Sequence, residues 1–249
     1  MRAYPFLLTD SQVSMRLAAA KQKVVAAGNL AERISQRKTI GLGEVAKEHL
    51  IMAQAAWALG SNEVEVKKFF AEASAWALAA IQYGDYCGPV DFVMWFAAAG
   101  MGQDSQTLRE FSVFDRDRFT NPKEAVNETA MSFASCIVNI MGEKNELATK
   151  DSTKLTKLIS REVAVVKSQY VGLAEACAAV VSASQVELDV AILNRGMAIG
   201  NTLQAVQRDP KFDAFKFVVD FPLMAVLIAA KKRELAAKAS EAWVALSLL

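Results

Sequence analysis

Apolar and polar positions recur along this 249-residue chain with a helical period, and short polar breaks divide them into segments. Thr9, Asp10 or Ser11 is placed to cap a helix running to Ala27, and Gly28 suits its left-handed stop. A polar connector with Gly41 and Gly43 follows. Residues 44–59 read as a helix ended by Gly60, and Ser61 and Asn62 restart the chain into a helix over 63–82, ended near Gly84. These two predict a tight helical hairpin, with Trp57 and Leu59 on the first helix and Phe69, Phe70, Ala73, Trp76 and Ala80 on the second.

The stretch Tyr83-Gly-Asp-Tyr86-Cys87-Gly-Pro89 is a predicted loop, and Pro89 suits the first turn of a helix over 90–99, stopped at Gly100. Asp104 or Ser105 caps a short helix to about residue 114. Residues 115–120 form a charged loop, and Asn121-Pro122-Lys-Glu124 is a start signal for a helix reaching Met141. Residues 152–182 read as mostly helical, with a break near Ser168 or Gly172. Ser184-Gln-Val-Glu187 is a capping box opening a helix to about residue 207. Asp209-Pro210 opens a short helix, and Asp220-Phe-Pro222 opens the last helix, in two pieces, toward Leu249. Long period-2 runs and Asn-Gly turns are missing from the sequence. The expectation is an all-α fold over residues 1–249, a single domain of about ten helices in irregular antiparallel hairpins, a tetratricopeptide-like stack. Trp57-Ala-Leu-Gly60 echoes one such repeat, without a second copy at the ~34-residue period.

Composition sharpens this. The chain has 43 alanines, the best helix former and small enough for close helix contact. They also account for much of the 53% hydrophobic content and the mean hydropathy of +0.19. Lys and Arg number 28 against 27 Asp and Glu, which speaks against a nucleic-acid-binding face. Cys87, Cys136 and Cys177 are an odd count without a close pair, which fits buried thiols in a reducing compartment. The N-terminal apolar stretch is too short for a signal peptide, and the ten apolar residues 221–230 are too few to span a bilayer. A cytoplasmic protein away from membranes is the expectation.

Candidate chemistry is sparse. His49 is the single histidine, so metal sites or acid–base schemes needing two are excluded, and a helix-surface or boundary position is its ordinary reading. The thiols lack an activating context, and Gly41-Leu-Gly43 is a connector rather than a phosphate cradle. No cofactor and no catalytic site are expected; an enzyme would need a buried carboxylate pair, with Asp91 or Asp189 as candidates. Two stretches suit a protein partner. Phe111-Ser-Val-Phe114-Asp115-Arg116-Asp117-Arg118-Phe119 sets aromatic and arginine anchors among charges, as interfaces do. Alternatively its phenylalanines enter the core while the charges solvate the turn. Tyr83 and Tyr86 either anchor a partner or cover the end of the hairpin. Trp57, Trp76 and Trp95 stand beside alanines and read as core.

Three stretches carry a family resemblance. They are Ala55-Ala-Trp-Ala-Leu59 with Phe69-Phe70 and Ala80-Ile-Gln-Tyr-Gly84; Trp95-Phe-Ala-Ala-Ala-Gly100 with the break Gln103-Asp104; and Phe221-Pro-Leu-Met-Ala225-Val-Leu-Ile-Ala-Ala230. Their order resembles the all-helical immunity proteins of bacterial polymorphic toxin systems, in particular immunity protein family 49. That resemblance implies a protein without catalysis that binds a cognate toxin or effector in the cytoplasm and occludes its active site. Such binding uses about 800 Å² per partner with a few aromatic and arginine anchors. The near-zero net charge speaks against a strongly basic toxin as the partner. A helical-hairpin adaptor that grips a peptide segment is the other reading.

Overall fold

The computed structural model describes residues 8–84, 86–115, 127–162, 167, 169–206, 213, 215 and 218–236. Those residues form helices joined by short turns, and no strand occurs among them. The helices are α1 (Asp10–Ala27), α2 (Leu30–Ser35), α3 (Leu42–Ala58), α4 (Glu63–Gln82), α5 (Pro89–Met101), α6 (Ser105–Ser112), α7 (Glu128–Met141) and α8 (Asn145–Arg161). They are followed by α9 (Leu173–Val181), α10 (Gln185–Val206) and α11 (Phe221–Lys232).

Local chemistry sets most of these bounds. Thr9 and Gln12 form a reciprocal capping box at α1, and Gly28 ends that helix at a φ of 78°. Asn62 caps α4 by accepting from the Val64 N–H at 2.9 Å. At α10, only half of the expected capping box is made: the Glu187 N–H donates to Ser184 Oγ at 3.4 Å, while the Glu187 carboxylate accepts from Ser182 Oγ at 3.3 Å.

Several expectations are corrected. The connector after Gly28 holds an extra helix, α2, capped by Asn29. Asn127, rather than Asn121, caps α7; residues 121 and 122 lie outside the described residues, as do 209 and 210. The helix expected over 152–182 begins earlier, at Asn145, and its break at Gly172 is a left-handed N-cap of α9. Gly100 does not stop α5, which continues to Met101. A Cβ at residue 100 would lie 2.2 Å from Ile228 Cδ1, so this glycine marks where α5 crosses α11 in close contact.

Helices near in sequence pack as neighbours: α1 on α3 across the short α2, then α3 on α4, α4 on α5, α7 on α8, α8 on α9 and α9 on α10. This is the stack of hairpins the sequence predicts. Beyond these, α5 packs on α7 and α7 on α9, and α11 packs against α5, α7 and α9 together. Every residue from Leu223 to Ala230 is buried, so α11 is apolar around its whole circumference and serves as a central post. Trp76 and Trp95 join this core, while Trp57 is half-buried.

Candidate partner-binding groove

The segment singled out for aromatic anchors begins in α6. Asp104 caps that helix, accepting from the Thr107 N–H at 3.0 Å and from Thr107 Oγ1 at 2.6 Å. α6 is thereby turned so that Phe111 meets Phe92 edge-on at 5.8 Å, and Phe114 follows at 5.3 Å from the same ring. Both phenylalanines are buried, so they are core residues and offer no anchor to a partner. The hydrophobic effect takes both rings because Phe92 and Phe96 already form an aromatic nucleus on α5. Val113 is instead 73% exposed, with Asp115 beside it at the surface. Arg116, Asp117, Arg118 and Phe119 lie outside the described residues. Tyr83 and Tyr86 are exposed between α4 and α5, at a separate place.

Val113, Phe114 and Asp115 lead into a groove of about 1050 Å³ whose walls are α7 and α8. The two walls are tied together by polar bonds. Asn139 Nδ2 donates to Asp151 Oδ2 at 2.8 Å, and Cys136 Sγ donates to the Ala148 carbonyl at 3.7 Å. α8 turns Ala148, Leu155 and Ile159 inward and leaves Lys150, Lys154 and Lys157 along the groove. Their spacing of i, i+4 and i+7 puts the three lysines on one helical face. Lys144 adds a fourth cation to the lining. Lys154 Nζ has Glu128 Oε2 at 3.8 Å, and Lys144, Lys150 and Lys157 have no carboxylate partner among the described residues. The acidic lining is Asp115, Glu146 and Asp151. Leu147, 48% exposed, faces the same space as Val113, and Ser135 lines it with a buried hydroxyl that has no hydrogen-bond partner.

Other polar groups hold the fold. His49 is buried, which corrects its expected surface position: its ring sits 6.0 Å from that of Trp76. His49 Nδ1 lies 3.1 Å from Glu72 Oε2 without the alignment of a hydrogen bond. Arg195 and Asp220 make a buried bidentate pair at 2.7 and 3.2 Å, and Arg195 also donates to the Gln169 carbonyl at 2.7 Å. Asp220 in turn caps α11 through the Leu223 N–H. Nearby, burial pushes the Tyr170 hydroxyl up to about 12, helped by Glu162 and opposed by Arg195. All three cysteines are buried and outside any disulfide, and the fold brings two of them together: a hydrogen bond to Cys136, with burial, holds the Cys177 thiol well above its ordinary range.

The carboxylates weighed for an active site have separate neighbours. Partial burial raises Asp91, opposed by the Lys47 charge, whereas Asp189 accepts from Gln185 Nε2 at 2.7 Å. Among the described residues there is no cluster of three His, Cys, Asp or Glu able to hold a metal, and no helix long and apolar enough to cross a membrane. Comparison of the chain with protein-family models, with curated proteins and with solved structures finds no match.

Proposed function

We propose that this chain is a helical binding protein that neutralises a bacterial toxin in the cytoplasm by occluding it, as its resemblance to immunity protein family 49 implies. The observation that supports this reading is the open groove between α7 and α8. Its rim carries exposed Val113 and Leu147 beside lysines without a carboxylate partner among the described residues. A wall of two packed helices tied by hydrogen bonds offers a folded domain a preformed surface, which favours tight association. Tyr83 and Tyr86 are proposed as a second contact, and Asp115, Arg116, Asp117, Arg118 and Phe119 as further partner-binding residues.

The adaptor reading is favoured by the same groove if its ligand is a short segment rather than a folded domain, because three lysines recur along α8 at helical spacing. Co-expression separates the two readings. Toxin domains encoded just upstream are produced in a host cell with and without this protein, and complexes are recovered by pull-down. Restored growth with a stoichiometric complex is the expected result. Absence of both overturns the toxin reading.

A further inference from the structure

The geometry points to an acidic polypeptide segment, carboxylates alternating with apolar side chains, as the ligand of the α7–α8 groove. This rests on the reading of the chain as a partner-binding protein, and it names the chemistry of what is bound there.

Four observations converge. Lys150, Lys154 and Lys157 lie along about 10 Å of α8, the rise of seven helical residues, so their ammonium groups can meet successive carboxylates of one extended or helical segment. Lys150 and Lys157 are without a carboxylate partner among the described residues, and Lys154 has only Glu128 at 3.8 Å. The four lysines of the lining outnumber its three carboxylates, and a surplus of cations in a concavity attracts anions more strongly than the same charges scattered over a convex surface.

Ser135 supplies the second feature. It is 2% exposed, its hydroxyl has no partner, and it lines the groove. A buried hydroxyl left unbonded is unfavourable, and a ligand oxygen in the groove would accept a hydrogen bond from it. Third, Val113, Val138 and Leu147 line the same space, and they match apolar side chains between the carboxylates.

The fourth observation decides between polyanions. Phe114, the one aromatic in the lining among the described residues, is buried at 7% exposure against Phe92, so it presents no ring for a base to stack on. Asp115 and Glu146 on the lining would repel a continuous phosphate backbone, while a segment with spaced charges can place apolar groups against them. A protein segment therefore fits better than a nucleic acid.

The test is fluorescence anisotropy of the full chain with a labelled peptide repeating Glu-Glu-Leu, against a Gln-Gln-Leu peptide and a single-stranded RNA of similar length. The expected result is binding of the acidic peptide alone, weakened about tenfold by combined Lys150→Gln, Lys154→Gln and Lys157→Gln. Neutralising Lys21, Lys38 and Lys68, which stand elsewhere on the surface, should leave it unchanged. Ser135→Ala should weaken it about fivefold without lowering the circular-dichroism melt. The inference is overturned if the acidic peptide does not bind, if RNA binds as well, or if the two lysine triplets weaken binding equally. Its failure is separable from that of the toxin reading: rescue of growth by wild type and by the Lys150, Lys154, Lys157 variant alike would retain the toxin and exclude this groove. Peptide binding without an upstream toxin would retain the groove alone.

Discussion

Helices α8 and α10 carry outward rows of the same length and spacing but opposite chemistry. On α8 the row is Lys150, Lys154, Lys157 and Arg161; on α10 it is Val186, Val190, Leu193 and Met197. Each row steps by four, three and four residues, so each lies on one helical face. On the inner side the two are alike, with Leu155 and Ile159 of α8 and Leu188 and Ile192 of α10 buried. Outward, the α10 row is 53–75% exposed, and a Cβ at Gly200 beyond it would meet nothing within 4 Å. α8 thus has ordinary amphipathicity with a surplus of charge, while α10 is apolar on both sides. Binding through the first row would weaken with salt, and contact through the second would not. The inner faces should dominate stability and the outer rows should hardly enter it.

The strongest way to break this contrast is at the inside of α10. Arg195→Ala leaves Asp220 buried and unpaired and loosens the cap of α11, so unfolding in urea should show a loss of about 3–5 kcal/mol. A loss below about 1 kcal/mol would mean that water reaches the pair. Next, Leu155→Ala on α8 and Leu188→Ala on α10 should each lose about 2–5 kcal/mol, because both side chains are fully buried. A large inequality between them would show one helix to be loosely seated.

A pH series sharpens the α10 side further. Tyr170, next to Arg195, is raised in the folded state from 10.0 to about 12. The folded chain then holds a proton that the unfolded chain has lost, so this contribution is complete below pH 10 and disappears as pH rises to about 12. The loss should be about 2–3 kcal/mol in an alkaline denaturation series, and Tyr170→Phe should abolish that slope. The smallest effects belong to the outer rows. Lys157→Ala and Leu193→Ala should both fall within about 0.5 kcal/mol of wild type in the same urea assay. A larger loss at Leu193 would show that its row is covered.

Where the controlling interaction is local, the sequence is readable. The bounds of α4 follow from Asn62 and the polar turn at Tyr83, and the capping box at Thr9 and Gln12 sets α1. Where one residue type serves two purposes, it is not. Gly100 carries the signal of a stop, yet its use is contact with Ile228, a partner 128 positions away. Phe111 and Phe114 have an interface composition, and only the position of Phe92 on α5 sends them inward. The lysine row of α8 is visible in the sequence as a charged helical face; the concavity that gathers it depends on how α7 lies alongside. Asp220 is legible as the cap of α11, but its pairing with Arg195 gives no sequence signal, because burial and pairing are both tertiary.

The placement of α11 has a consequence for the order of assembly. A chain emerging from the ribosome presents α5, α7 and α9 before residues 221–232 exist to fill the seam they share. Until then the surfaces that will meet Leu223, Met224, Val226 and Leu227 have no cover, and the nascent protein resembles a lock waiting for its bolt. Closure comes late and from a distance in sequence, so the interval before it is when the chain is most open to aggregation and to chaperones.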